Sequence, residues 1–121
     1  IADHATTARL VKETGAKLMV MNTSCPNEGH NRLLCHDPHL VGEITEAVKN
    51  EIGDRPLIVK LAYIPNDTDL ETMVRETVGH GTVQGFSTIN TISARLVDAN
   101  GNQAPSVKSS ASTSSSWAWA A

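Results

Sequence analysis

Cys25 lies four residues into a polar loop that opens Asn22-Thr-Ser-Cys-Pro-Asn27 and runs on to His36. A thiol offered to a ligand there would be a base or a nucleophile once ionised, and an unperturbed thiol ionises near pH 8.5, so a modest shift suffices. Pro26 stiffens the turn. Asn22 and Asn27 each present two N–H donors and a carbonyl acceptor, a match for a ring that alternates C=O and N–H. Two further polar residues terminate apolar runs, Lys60 after Pro56-Leu-Ile-Val and Asn90 after Val83–Ile89. Each has a plainer reading: an inert thiol in a polar turn, a lysine that snorkels at a sheet edge, an amide that caps its own turn.

Metal chemistry fits less well. Cys25, His30, Cys35, His36 and His39 fall within fifteen residues. Their C-x4-H-x4-C-H-x2-H spacing matches none of the paired short spacings of zinc knuckles, and His39 belongs to the first turn of a helix. No metal site is therefore expected. Phosphate-binding glycine motifs are absent too: there is neither G-x-G-x-x-G nor G-x-x-x-x-G-K-[ST] in the chain.

The elements that must position these groups follow from periodicity. Lys17–Met21 and Pro56–Lys60 are short apolar runs suited to strands covered on both faces, and Val83–Ile89 is a weaker third. Leu40, Val41, Ile44, Ala47, Val48 and Ile52 form a helical stripe, with Asp37 as N-cap, Pro38 at the first position and Gly53 past the end. A second helix is expected to begin with the capping-box pattern Thr68-Asp-Leu-Glu71 and to turn Leu70, Met73, Val74 and Val78 inward before Gly79. A shorter helix, about Ala5 to Thr14, precedes the first strand. The order αβαβαβ makes the strands parallel and gathers their C-terminal ends on one edge. Asn22, Lys60 and Asn90 all stand at that edge, where parallel α/β proteins build their sites.

Composition narrows the function classes. The 121 residues are 40% apolar and 19% charged with a net charge of −3, so no clustered basic surface is available for nucleic acid. No apolar run approaches the roughly 20 residues needed to span a bilayer. Two cysteines cannot make a disulfide framework, and a reducing, cytoplasmic setting is expected. Ile at position 1 reads as an excised piece of a longer chain. Eight of the eleven residues from Ser106 to Ser116 are Ser or Thr, so 105–121 reads as a disordered tail, both tryptophans included, after a body spanning 1–104.

Asn22-Thr-Ser-Cys-Pro-Asn27, Pro56-Leu-Ile-Val-Lys60-Leu and Ile89-Asn90-Thr91, in that order and at that spacing, resemble the central part of a class 1 dihydroorotate dehydrogenase. The flavin domain of dihydropyrimidine dehydrogenase is similar in the same segments. The resemblance implies an α/β fold that is part of a (β/α)8 barrel, about three parallel βα units of it, and FMN as cofactor. It implies Cys25 as the base that takes the C5 proton of dihydroorotate while the C6 hydride passes to the flavin. Asn22, Asn27, Asn90 and Thr91 would hydrogen-bond the pyrimidine, and Lys60, with Asn22, would contact the flavin. Cysteine rather than serine at position 25 favours the soluble class, expected as a homodimer at full length. Only three-eighths of such a barrel is present, so a fragment without activity of its own is the competing expectation.

Overall fold

The computed structural model describes residues 1–25, 33–89, 92–93, 99–102 and 117–118. The chain divides into two compact units, Ile1–Asn90 and Thr91–Ala121. In the first, helix α1 (Ala2–Glu13) leads into strand β1 (Met19–Asn22). A single 3-10 turn (Leu34–His36) then precedes α2 (Pro38–Ile52), β2 (Leu57–Lys60), α3 (Asp67–Thr77) and β3 (Gly85–Ser87). The three strands form one parallel sheet in the order β1-β2-β3. Neighbours in sequence are thus neighbours in the sheet, as right-handed crossovers laid side by side on one face produce.

The core lies between the sheet and that helical layer. Met19, Met21, Leu57 and Val59 meet Val41, Ile44, Val48 and Ile52 of α2, with Ala8 of α1 and Met73 of α3 at either side. Asp37 caps α2 as the sequence predicts, its Oδ1 accepting from Leu40 N at 3.1 Å, with Pro38 at the start and Gly53 at φ +65° past the end. The N-terminal edge of the sheet is tied shut by polar side chains. Arg55 Nε donates to Ala16 O, Lys49 Nζ to Arg55 O, and Gln84 Oε1 accepts from both Lys49 Nζ and Leu57 N.

Four expectations are corrected. The strands are covered on one face only: Leu18 and Val20 stay 50% and 56% exposed, because all the helices pack on the side of Met19 and Met21. Helix α3 starts earlier than the Thr68 pattern suggests. Asn66 is its cap, with Oδ1 accepting from Asp69 N at 2.7 Å and Nδ2 donating to Asp69 Oδ2, so Thr68 lies inside the first turn. The inward face of α3 is Met73 and Thr77, while Leu70, Val74 and Val78 are exposed. Thr77 can take an apolar slot because its hydroxyl donates to Met73 O, and Gly42 on α2 lets Glu76 come close. Helix α1 begins at Ala2 rather than near Ala5, with no side-chain cap at its start.

In the second unit, β4 (Ile92–Ser93) pairs antiparallel with β5 (Trp117–Ala118). Trp117 therefore belongs to a short ladder, where the Ser-rich context predicted no strand. The expected limit at 104/105 lies outside the described residues.

Candidate functional site

Register alone assembles a polar row. Asn22 of β1 stands opposite Lys60 of β2, and Lys60 opposite Ser87 of β3. Side chains alternate across a strand, so these three project from the face of the sheet that no helix of the described residues covers. Beneath them on the same face are Val20, Ile58 and Gly85, where a Cβ on Gly85 would meet Ile58 Cδ1 at 3.3 Å. The open face thus carries an apolar floor and, at its C-terminal rim, an amide, an amine and a hydroxyl. Lys60 is only partly buried, and among the described residues its ammonium makes no hydrogen bond or ion pair.

The loop after β1 is anchored to this rim by Thr23. Its backbone N and its Oγ1 both donate to Lys60 O, at 3.1 and 2.8 Å, and its carbonyl accepts from Cys35 N at 2.9 Å. Thr23 is fully buried. The chain then turns so that Cys25 O accepts from Leu34 N at 3.1 Å, which closes the loop upon itself. Cys25 is exposed, and its Sγ accepts from Asn22 Nδ2 at 3.3 Å. Asn22 Oδ1 in turn accepts from both the backbone N and the hydroxyl of Ser24, at 3.1 and 2.5 Å.

The two thiols have opposite surroundings. Cys35 is wholly buried, and burial pushes its thiol above the ordinary range, against the weaker opposing pull of hydrogen bonds from the Ala62 and Cys35 backbones and the Thr23 side chain. It is a core residue. Cys25 faces outward beside the polar row and is the thiol a ligand can reach. Among the described residues no group of three or more His, Cys, Asp and Glu side chains gathers to hold a metal.

Of the residues singled out in the sequence, the structure brings Asn22, Cys25 and Lys60 to one rim. Asn27, Asn90 and Thr91 lie outside the described residues. Ser87 and Ser24 escaped the sequence reading. The in-register strand ends could have found Ser87, two residues after Gly85 in a weak strand; nothing in the pattern of the loop distinguishes Ser24 from Thr23. A groove of about 450 Å³ runs elsewhere, along the outer edge of β1, with His4, Thr7, Ala8, Val11, Leu18 and Val20 among its walls. It is mostly apolar and touches the polar row only at Asn22.

A parallel sheet with helices on one face, its strands ending in an amide, an amine and a hydroxyl beside an accessible thiol, defines an α/β protein whose polar groups gather at the C-terminal edge, where such folds build their sites. The family model for dihydroorotate dehydrogenase matches residues 1–111, more at both ends than the three motifs alone cover. The chain belongs to the dihydroorotate dehydrogenase family. It is 36% identical over 90 residues to a protein of Maridesulfovibrio salexigens named dihydroorotate dehydrogenase B (NAD(+)), catalytic subunit, covering 74% of this chain and 28% of that one. A protein of the same name from Alkaliphilus oremlandii is 32% identical over 104 residues, 85% of this chain and 33% of the relative. A dihydroorotate dehydrogenase of Dictyostelium discoideum is 30% identical over 102 residues, 81% and 27% respectively. The chain thus spans about a third or less of the length of these relatives.

Proposed function

We propose that the chain carries the base-bearing part of an FMN-dependent dihydroorotate dehydrogenase, a soluble cytoplasmic enzyme of pyrimidine biosynthesis. The observation that carries the reading is the placement of Cys25 Sγ beside Asn22, in a row with Lys60, at the C-terminal rim of a parallel sheet. Sequential strands with helices on one face only, an apolar floor on the other, and a groove along the free edge of β1 all suit a segment of a (β/α)8 barrel. The exposed stripe of Leu70, Val74 and Val78 suits a further helix beside α3.

In this reading Cys25, as thiolate, takes the proton from C5 of dihydroorotate, a carbon acid α to a carbonyl, and the electron pair forms the C5=C6 bond of orotate as hydride leaves C6. Asn22, Asn27, Asn90 and Thr91 hold the pyrimidine ring and its carboxylate through donors and acceptors. Bound FMN supplies the hydride acceptor. The residues present fit such a group: a partly buried ammonium with no carboxylate partner among the described residues is suited to an electron-rich ring that gains negative charge, and Lys60, with Asn22, would hold it. The relatives' name, dihydroorotate dehydrogenase B (NAD(+)), catalytic subunit, supports a second subunit as the route for electrons onward, and in this reading the full-length catalytic chain would itself pair as a homodimer.

The test is anaerobic titration of the full-length protein with dihydroorotate, followed at the flavin band near 450 nm. Bleaching by dihydroorotate and not by dihydrouracil is expected; bleaching by dihydrouracil alone would move the reading to the dihydropyrimidine dehydrogenase type. For the 121 residues in isolation, the open sheet face and free strand edges favour a second reading, that they neither retain FMN nor turn over.

A further inference from the structure

The orientation of Asn22 is set by its neighbour. A carboxamide can present either its oxygen or its nitrogen, and the two ends ask opposite things of a ligand. Here Oδ1 is occupied twice by one residue, accepting from Ser24 N at 3.1 Å and from Ser24 Oγ at 2.5 Å. Ser24 is 92% buried by its residue exposure of 8%, so water competes poorly for either bond. With the acceptor end used, Nδ2 is the end turned outward. One of its N–H groups goes to Cys25 Sγ at 3.3 Å, and the other has no partner among the described residues.

We infer that Ser24 is a positioning residue: it locks the Asn22 carboxamide so that Nδ2 holds the Cys25 sulfur and offers its second N–H to a ligand acceptor, a carbonyl or carboxylate oxygen. This rests on the reading of Cys25 as the reacting thiol and adds a specificity to it, because an Asn22 flipped the other way would offer the sulfur an oxygen and select for a ligand donor. Without the Ser24 hydroxyl, Oδ1 keeps only the longer backbone bond. The amide then rotates, and the sulfur loses the donor that holds it in place.

The test reads the thiol, not turnover, so it stands or fails separately from the dehydrogenase assignment. The 121-residue chain is alkylated with iodoacetamide under native conditions. Tryptic cleavage after Lys17, Arg32 and Lys49 puts Cys25 and Cys35 on different peptides, quantified by mass spectrometry. Buried Cys35 serves as the internal control for folding. Ser24→Ala and Asn22→Asp are each expected to slow Cys25 alkylation by about fivefold to tenfold, since the sulfur loses the donor that holds it in place for attack. Ser24→Thr, which keeps the hydroxyl, is expected to stay within about twofold of the parent. Wild-type rates in Ser24→Ala with Cys35 still protected would overturn the inference. If Ser24→Ala exposes Cys35, the pair Ser24→Thr and Ser24→Val, alike in shape and different in the hydroxyl, decides in its place: fast with Thr and slow with Val supports the lock, and equal rates overturn it.

Discussion

Thr23→Val isolates the bond that fastens the site loop to the sheet. Valine keeps the shape and buried apolar contacts of threonine and removes only the hydroxyl, which donates to Lys60 O at 2.8 Å and also reaches Cys35. The Lys60 carbonyl keeps its bond from Thr23 N at 3.1 Å, so no acceptor is orphaned and the full desolvation penalty does not arise. What is lost is one net buried hydrogen bond, about 0.5–1.5 kcal/mol. A methyl group must also sit where oxygen lay at hydrogen-bond distance, which adds some strain, so the total is about 1–2 kcal/mol. With a urea dependence of about 1 kcal/mol/M for a domain of this size, the midpoint falls by about 1–2 M. The assay is urea unfolding followed by far-ultraviolet circular dichroism. A midpoint unchanged or raised would refute the role of Thr23 as the anchor of the loop.

Three further outcomes follow from the packing. Asn66→Ala should cost about 1 kcal/mol in the same assay and Thr68→Ala much less, since Asn66 and not Thr68 caps α3; the reverse order would restore the capping box. Gly42→Ala, a change that helix propensity alone would make stabilising by about 1 kcal/mol, should instead destabilise, because its Cβ would lie 3.1 Å from Glu76 Cβ and 3.3 Å from Glu76 O; a raised midpoint would show that α2 and α3 can separate freely. Cys35 has a pH signature. Its folded thiol ionises above the ordinary range, so above about pH 8.5 the unfolded chain binds fewer protons and the stability Cys35 contributes is lost as pH rises. The gap in urea midpoint between the parent and Cys35→Ala should therefore narrow from pH 8 to pH 10, and a constant gap would contradict the burial argument.

Much of this architecture was legible in the residues. The α2 stripe with Asp37, Pro38 and Gly53 gave that helix its bounds, and the alternation of apolar runs with amphipathic ones gave the parallel sheet. Apolar runs do not say which of their faces is covered. Leu18 and Val20 look like core residues until the helices are found on the other side. Helix α3 misled for a related reason: Leu70, Val74 and Val78 are the more apolar face, but Gly42 and the back-bonded Thr77 let α2 dock on the other one. At the site, Cys25, Asn22 and Lys60 stood out because polar residues that end apolar strands are conspicuous. Ser87 and Ser24 did not, since a serine near a turn has many ordinary uses and only register or a hydrogen-bond partner distinguishes it.

If Cys25 is the base for dihydroorotate oxidation, its loss must show in the rate of flavin reduction in the full-length protein carrying Cys25→Ala. The bound FMN should be retained, read as unchanged absorbance near 450 nm, while its reduction by dihydroorotate slows by about 10²–10⁴-fold, the usual worth of a positioned base. Reduction at the parent rate with flavin bound would exclude Cys25 as the base.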